Sequence, residues 1–579
     1  TPENSATTGE IEGGTTTNAA FTSVTTAALF PSISHANNGA VWTVNFGDSS
    51  FNTALLTGYL ALNTTNIAAA TTRTKSDLSE YFESIVYEGN GLGQIIGRHL
   101  PFTNAFTIGK SALFDRNNSE SLSKTFGSAG SSTTNATINV WIKQGSSIAN
   151  RGPLIYVDGS SSDFQIELNI DGTDFKLRVD LSYDSANHVK LSSQTFLDQS
   201  QWAMVTCILD TTNGTASERI RLYWNGVRLA LETDNAIAQN QAIILGSAVE
   251  HQIGALETSY YYDGYMAQFV FTDGQILEPT NFGLVDAATG RWVPKDVSGL
   301  TFGNNGFFLD FATGTLGNDV SGNNNDFANN NTVVQTNDSP TTNFGTLTNN
   351  QLATTEILNN GNRTGRGGAA NEYWTLPSGL RMTTEKIFVA MRMDDGADGS
   401  SQVNVSFGCQ PPNANIAPGV GPTTDSYAGI DRQGGDFRVY NNNYDDNLIA
   451  AARENHTISA ADTDVITMAV DPSDPSNGKV WFGVYDTSED SHQYIPNVVG
   501  GTAGDPAQGT LPTIDGINFK GPTNPLGEWR IITGGYRHTA ATTVLLDSTD
   551  IPITIPSGFL EFKQSNIKKG RTIATGASA

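Results

Sequence analysis

Short runs of alternating apolar and polar residues fill the stretch from Leu113 to Trp292. Clear examples are Thr137–Lys143, Gln201–Asp210 and Arg219–Arg228, and turn-forming Gly, Asn or Asp residues separate such runs. A period of two places successive side chains on opposite faces of an extended chain, which is typical of half-buried antiparallel strands joined by tight turns. The stretch is therefore predicted to fold as a β-sandwich, a fold class that more often binds ligands than catalyses reactions.

The charge and composition of the chain exclude several partners. The 579 residues carry a net charge of -26, and only 16% of them are charged. Phosphate backbones are bound by Lys and Arg, so no nucleic-acid partner is predicted. No run approaches the roughly 18 apolar residues of a membrane span, so no membrane insertion is predicted. No signal peptide is visible, and because the chain begins at Thr1 we expect further residues upstream, which leaves secretion open.

The pattern predicts an all-β protein of tandem antiparallel sandwiches, with short loops and few helices. Cys207 and Cys409 lie in apolar strand-like runs and are predicted to be buried free thiols. Gly58–Ile67 and Gly558–Ile567 are similar, which suggests that each closes a related module. The predicted organisation is a linker at 1–20, the end of one module at 21–71, a jelly roll at 72–300, an Asn/Gly-rich linker at 301–350, a second sandwich at 351–570 and a tail at 571–579.

The central segment resembles the concanavalin A-like, LamG-type jelly roll. The residues that carry this resemblance are Phe114-Asp115, Trp141-Ile-Lys143, Trp202, Leu222-Tyr-Trp-Asn-Gly226 and Asp263-Gly-Tyr265. The resemblance implies two packed antiparallel sheets and, often, sugar binding.

The last 220 or so residues look like a SPRY-type sandwich. Asp464–Asp471 and Gly478–Phe482 match its two central strands, and Pro556–Phe559 matches its closing turn. Asn45–Gly47 and Gly58-Tyr59 match the same closing region near the start of the chain. The resemblance implies a partial copy of the module before the jelly roll and a whole copy after it.

The order of segments after the jelly roll is similar to large structural proteins of bacteriophages, particularly marine ones, usually described as tail or fibre-like. Its motifs begin at Asp273, Trp292, Gly306, Asp319 and Asp338. The resemblance implies a virion protein exposed on the particle surface. Its implied partners are other virion proteins, further copies of the chain (a trimer is favoured) and host-surface polysaccharide.

The sequence does not predict an enzyme. Sugar hydrolysis needs two carboxylates about 5 to 9 Å apart, and no Glu-x-Asp-x-Glu motif occurs. Glu167 and Asp171 share one strand face, but we expect that face to be solvated. The seven histidines are scattered, which argues against zinc, and no Gly-x-Ser-x-Gly or phosphate-binding loop is present.

Calcium is the candidate cofactor, although none is required. Calcium takes about 6 to 8 oxygen ligands from loops. Asp471–Asn477 is a second candidate loop. The main candidate loop offers oxygens from Asp319, Ser321, Asn323, Asn325 and Asp326. The alternative for both loops is a simple turn in which Asn and Asp cap their own backbone.

Two tyrosine clusters are the candidate glycan contacts, because sugar sites combine a stacked aromatic ring with polar side chains. The alternative for both clusters is plain surface or inter-subunit packing. In the jelly roll the candidates are Tyr260, Tyr261, Tyr262 and Asp263, and in the second sandwich they are Tyr440, Tyr444 and Asp445.

The leading hypothesis is a non-enzymatic tail-fibre or appendage component that helps a virus particle attach to host-surface glycan through many weak sites. A purely architectural head-fibre or capsid-decoration protein is the alternative. A glycan depolymerase is the third hypothesis, which the missing carboxylate motif disfavours.

Overall fold

The computed structural model describes the chain from residue 106 to residue 566, with internal gaps. The described residues belong to one compact unit, Ser79–Ala579. The predicted modules at 1–20, 21–71 and 571–579, and residues 72–105 of the predicted jelly roll, lie outside them. The described ranges are 106–145, 151–159, 162–171, 174–196, 198–286, 290–349, 356–368, 373–395, 405–411, 428–433, 436–441, 455–456, 463–497, 501–519, 527–536 and 540–566.

The first sandwich is built from the strands between residues 111 and 336. In chain order they are β1 (Ser111–Phe114), β2 (Ser121–Thr125), β3 (Asn135–Gln144), β4 (Arg151–Val157), β5 (Asp163–Asp171), β6 (Asp174–Tyr183), β7 (Ala186–Ser192), β8 (Ala203–Asp210), β9 (Ile220–Trp224), β10 (Val227–Arg228), β11 (Leu231–Asp234), β12 (Glu250–Ile253), β13 (Ala255–Leu256), β14 (Tyr260–Tyr261), β15 (Gly264–Asp273), β16 (Gly283–Val285), β17 (Trp292–Pro294), β18 (Phe307–Leu309), β19 (Ala328–Asn330) and β20 (Val334–Thr336).

Two eight-stranded antiparallel sheets face each other in this sandwich. The front sheet has the order β10-β9-β8-β3-β15-β1-β20, with β18 also paired to β15. The back sheet has the order β11-β7-β6-β5-β4-β12-β2-β19. The alternating runs turn their apolar residues inward, so that Ile138, Val140 and Ile142 of the front sheet share one core with Phe164 and Ile166 of the back sheet.

The front sheet is covered on its outer face as well. Trp141, Met204 and Tyr265 point away from the first core and pack beneath the segment that carries Phe282 and Phe302. The same strands therefore bury both of their faces. Among the described residues, no comparable apolar layer lies over the back sheet.

Residues 301–350 are part of the first sandwich, which corrects the prediction of a linker. β18 pairs with β15, β19 with β2 and β20 with β1. Phe307 and Phe327 are buried in the core between the two sheets. These three-residue strands are too short to show alternation, and they acquire their structure from partners that are distant in sequence.

The second sandwich follows from residue 357. Its strands are β21 (Ile357–Asn359), β22 (Thr364–Arg366), β23 (Tyr373–Pro377), β24 (Ile387–Asp395), β25 (Val405–Gln410), β26 (Ala428–Gln433), β27 (Asp436–Asn441), β28 (Asn455–His456), β29 (Val465–Asp471), β30 (Gly478–Asp486), β31 (Ser491–Tyr494), β32 (Ile514–Ile517), β33 (Arg530–Tyr536), β34 (Ala540–Leu545) and β35 (Leu560–Glu561).

One sheet of this sandwich has the order β21-β22-β34-β24-β29-β30-β31, with β32 beside β30 and β35 parallel to β24. The other has the order β23-β33-β25-β26-β27-β28. Trp374, Met391 and Trp529 are among the core residues between them. The prediction of an all-β protein with tandem antiparallel sandwiches is thus confirmed.

Helical structure is limited to single turns among the described residues. These 3-10 turns are Arg116–Asn118, Ala216–Glu218, Pro279–Asn281, Pro506–Gln508 and Gln564–Asn566. None of the described helices is long and apolar enough to cross a bilayer. Cys207 and Cys409 are buried free thiols, as predicted.

A buried polar joint connects the first sandwich to the segment that leads into the second. The Lys143 ammonium lies 2.8 Å from a carboxylate oxygen of Asp338 and donates to the carbonyl of Phe344 at 2.7 Å. The side chains of Lys143 and Asp338 are only 1% and 4% exposed. The hydroxyl of Tyr265 donates to the carbonyl of Gly361 at 3.0 Å. The second sandwich therefore docks on the outer face of the front sheet.

Candidate functional site

The hairpin β13–β14 places two tyrosines at the surface beside the back sheet. Leu256 pairs with Tyr260 and Ala255 pairs with Tyr261, and both short strands contact β4. Tyr260 and Tyr261 are partly exposed. The guanidinium of Arg151 lies over the Tyr260 ring, 5.4 Å from its centroid, which is within cation–π range. Arg151 therefore holds the Tyr260 ring against the outer face of the back sheet.

Tyr262 and Asp263 are both fully buried, which corrects their prediction as surface contacts. The Tyr262 ring packs edge-on against Phe114, with centroids 6.1 Å apart, and its hydroxyl donates to the Lys143 carbonyl at 3.3 Å. Both residues precede the central strand β15, whose whole length is buried. The position after the hairpin leads the chain into the sandwich, so a surface ligand would contact only the first two tyrosines of the cluster.

Four charged side chains form a network on the outer face of the back sheet, and we call them the carboxylate–guanidinium quartet: Arg151, Glu167, Arg178 and Asp180. Arg151 donates through Nε and a terminal nitrogen to the two oxygens of Glu167 at 2.7 and 3.1 Å. Arg178 lies 2.8 Å from Asp180 and 3.6 Å from Glu167. Burial is the largest single influence on the pKa of Arg178, and it acts to lower that pKa. The hydrogen bond and charge of Asp180, together with the charge of Glu167, outweigh it, so the pKa of Arg178 is raised.

The strand register explains why the quartet assembles. β5 and β6 form an antiparallel hairpin in which Glu167 lies opposite Arg178 and Gln165 opposite Asp180. Their neighbours Ile166 and Val179 point into the core. Glu167 is fully buried beneath Arg151 and Arg178, whose side chains are 25% and 27% exposed. Glu167 is therefore not the solvated strand carboxylate that we predicted, and the side chain of Asp171 lies outside the described set.

Further hydrogen-bonding groups extend this face toward β12. Tyr156 lies opposite both Gln165 and Gln252 on the neighbouring strands. Its hydroxyl donates to Glu257 at 3.4 Å. Burial, and then the charges of Asp163, Asp158 and Glu257, raise the pKa of Tyr156, so that it stays a neutral phenol. Tyr156 itself is buried, so the groups that this face presents to solvent are the partly exposed Tyr260 ring, the partly exposed Gln252 amide and the exposed Glu257 carboxylate. A stacking ring beside polar side chains is the combination found in sugar sites.

The carboxylates of this face do not resemble a hydrolytic pair. Both oxygens of Glu167 are engaged by Arg151, and Asp180 is bound by Arg178. A general acid must hold a proton that it can donate, and a nucleophile must reach the sugar. Glu167 has no exposed surface from which to do either.

The loop around Asp319 hydrogen-bonds to itself and to its neighbours. One Asp319 oxygen accepts from the backbone amides of Phe308 and Ser321, both at 2.9 Å. The other accepts from the Ser321 hydroxyl and from the amide of Asn325. Asp326 accepts from the amide of Asp319 at 2.8 Å.

The two asparagine side chains of this loop act as donors. The amides of Asn323 and Asn325 both donate to the carbonyl of Gly306. Within the described part of the chain, no group of three or more His, Cys, Asp or Glu side chains is placed to hold a metal ion. The geometry is that of a capped turn, the alternative that the sequence left open, and calcium at this loop stays a prediction. Asp471 of the second candidate loop is bound by Lys386 at 2.7 Å.

The second tyrosine cluster falls largely outside the described residues. Tyr440 belongs to β27, where its backbone lies opposite Gly429. Tyr444 and Asp445 lie in 442–454, outside the described ranges. The glycan contact predicted for these three residues stays a prediction.

Sequence reasoning missed the quartet and Tyr156, although a signal for the quartet was present. Gln165, Glu167, Arg178 and Asp180 alternate with apolar residues on two runs separated by a Gly-Thr turn. A hairpin with that turn places the two polar rows on one face. Arg151 and Tyr260 could not be added in this way, because they come from strands that are distant in the chain.

The comparisons agree with this architecture. Residues 117–278 match the family model Laminin_G_3, described as the concanavalin A-like lectin/glucanases superfamily. The first sandwich is therefore a concanavalin A-like jelly roll, and it extends beyond the matched residues to β20. No curated protein is significantly similar to the chain in sequence.

Several solved structures align with part of this chain at low sequence identity. A native heptameric SAP-like pentraxin from Limulus polyphemus is 15% identical over 40% of this chain and 96% of its own, with a TM-score of 0.26. A protein from Bacteroides ovatus described as carbohydrate-binding is 14% identical over 40% of this chain and 60% of its own, with a TM-score of 0.28. Domain 4 of the extracellular arabinanase AbnA from Geobacillus stearothermophilus, in complex with arabinotriose, is 13% identical over 26% of this chain and 65% of its own, with a TM-score of 0.20.

Proposed function

We propose that this protein binds glycan without cleaving it, through the outer face of the back sheet, as a surface component of a bacteriophage particle. The observation that carries the glycan proposal is the partly exposed Tyr260 ring, fixed by Arg151 beside a row of polar side chains. The concanavalin A-like lectin/glucanase match of residues 117–278 supports the same ligand class.

The absence of catalysis is part of this proposal. It is supported by the engagement of Glu167 and Asp180 by Arg151 and Arg178, which leaves neither carboxylate placed to attack or protonate a glycosidic bond. A depolymerase remains the least favoured function. Its signature would be a rise in reducing ends when the purified chain is incubated with the polysaccharide that it binds.

The virion role rests on the order of segments from Asp273 to Phe344. We propose a tail-fibre or appendage protein, exposed on the particle, that assembles with other virion proteins and with further copies of itself, with a trimer favoured. The SPRY-like character of the second sandwich belongs to this proposal. Its support is the pair of central strands β29 and β30, which hydrogen-bond to each other. With many copies on one particle, weak binding at each glycan site would give strong overall attachment through avidity.

The experiment is a glycan array and host-cell binding assay with the full chain and two variants. Tyr260→Ala removes the stacking ring and is expected to weaken glycan binding by about tenfold, since a lost stacking contact of this kind contributes on the order of 1 kcal/mol or somewhat more. The matched control is Tyr485→Ala, which removes a partly exposed tyrosine from the second sandwich.

Equal loss of binding in both variants would contradict a site on the back sheet. No binding to any glycan or host cell by the folded protein would favour the purely architectural role, as a head fibre or capsid decoration. That role also predicts Tyr260 buried between chains in an interface of roughly 1,000 Å² or more.

A further inference from the structure

The quartet carries no net charge, because its two guanidinium groups are matched by two carboxylates. Arg151 binds both oxygens of Glu167, and one of its terminal nitrogens lies 3.9 Å from Asp180. Arg178 binds Asp180 at 2.8 Å. Bidentate guanidinium–carboxylate pairs are strong and directional. The cations of this face are therefore already committed to anions of the protein.

Four more carboxylates surround the same face. Asp158, Glu250 and Glu257 are exposed, and Asp163 is partly exposed. Glu250 accepts from the side-chain amide of Gln252 at 3.3 Å, and Asp163 accepts from a backbone amide at 3.2 Å. Among the described residues, none of the four is in an ion pair. The surroundings of Tyr156 and Tyr260 are thus net negative.

We propose that the outer face of the back sheet selects uncharged glycans and discriminates against carboxylated or sulphated ones. The inference rests on the proposed glycan-binding function and names its ligand class. A site for an acidic sugar needs a cation whose hydrogen bonds are free to turn toward the ligand. Here the guanidinium groups of Arg151 and Arg178 already bind Glu167 and Asp180. An anionic sugar that approaches this face would therefore be repelled by Glu257 and the neighbouring carboxylates.

Electrostatic range makes the discrimination effective at physiological salt. Screening acts over about 8 Å at that ionic strength. Glu257 accepts a hydrogen bond from Tyr156, and the charges of Asp158 and Asp163 also act on Tyr156, so these carboxylates lie within reach of a sugar bound at this face. The net charge of -26 adds a long-range repulsion of polyanions. An uncharged sugar avoids both effects and still has the Tyr260 ring and the polar row to bind.

The test compares matched polymers on the full chain. The probes are uncharged polysaccharides, such as dextran and the best uncharged ligand of the array, each beside its sulphated and carboxymethylated derivative, in low and high NaCl. We expect the derivatives to bind at least about tenfold more weakly than the parent polymer, a free-energy difference of about 1.4 kcal/mol. Binding of the parent is expected to change little with salt.

A charge variant separates selectivity from binding. Glu250→Gln removes one exposed carboxylate from the border of the face, and Glu489→Gln makes the same change on the exposed surface of the second sandwich. Only the first is expected to improve binding of the anionic derivatives, by roughly threefold, while the parent binds as before. Tighter binding of the derivatives than of the parent, with steep loss in salt, would overturn the selectivity alone. No binding to any polymer would overturn the proposed function together with it.

Discussion

Removing the cation of the buried joint should destabilise the protein strongly. In the Lys143→Met variant, Asp338 keeps its hydrogen bonds from the Trp202 indole at 2.9 Å and the Phe344 amide at 3.3 Å. It loses the ammonium at 2.8 Å, and its side chain is only 4% exposed. Breaking one partner of a buried ion pair costs about 3 to 5 kcal/mol. Set against a typical unfolding free energy of about 5 to 15 kcal/mol, that is a large fraction.

The double variant Lys143→Met/Asp338→Asn distinguishes a stranded charge from lost packing. Asparagine keeps an oxygen for the Trp202 and Phe344 donors but carries no charge. The double variant is therefore expected to recover more than half of the stability that the single variant loses. Burial lowers the pKa of Lys143, and the charge and hydrogen bond of Asp338 partly oppose that shift.

The assay is urea unfolding at pH 7 followed by tryptophan fluorescence, with Lys176→Met as the matched control. Lys176 pairs with Glu232 at 2.8 Å, but the Glu232 side chain is 40% exposed, so its loss should cost less than about 1 kcal/mol. The reasoning is refuted if Lys143→Met and Lys176→Met unfold at the same urea concentration.

Three further outcomes follow from buried groups. Burial lowers the pKa of His251 to about 4, so the unfolded chain takes up its proton first as the pH falls below about 6.5, and roughly 3 kcal/mol of stability should be lost by pH 4. His251→Gln keeps an acceptor for the Gly246 amide and should flatten that slope in urea titrations at several pH values. Glu167→Gln should lower the unfolding free energy by about 1 to 3 kcal/mol, because it removes the negative charge that Arg151 and Arg178 share. An unchanged urea midpoint would contradict a stabilising role of the quartet. EDTA should leave the melting temperature unchanged, because the Asp319 oxygens already accept hydrogen bonds from the loop, whereas a drop that Asp319→Asn abolishes would establish calcium.

Local patterns predicted the sandwiches well because each long strand carries its own alternation. β3, β8 and β15 could be recognised from their sequences, and their apolar residues indeed line the cores. The short strands β18, β19 and β20 carry no such signal. Their structure comes from pairing with β15, β2 and β1 across the fold, and a polar composition rich in Asn and Gly resembles a linker until those partners are known.

The candidate site was predictable only in part for a similar reason. The sequence singled out the 260–262 cluster, in which Tyr260 and Tyr261 are partly exposed, but it could not show that Tyr262 already belongs to the entry into β15. The quartet needs Arg151 from β4 beside Glu167 from β5. That contact depends on the order of strands in the back sheet, which a sequence pattern does not contain.

The pairing of β18, β19 and β20 with the sheets of the first sandwich bears on how that sandwich could be studied alone. A fragment that ends at residue 278 or 300 would lack three strands, and it would leave the core without Phe307 and Phe327. A fragment that runs to residue 349 would keep those strands but uncover Tyr265 and Leu113, against which Gly361 of the second half now rests. An apolar patch of that kind promotes aggregation in an isolated domain. The two sandwiches are therefore best expressed together.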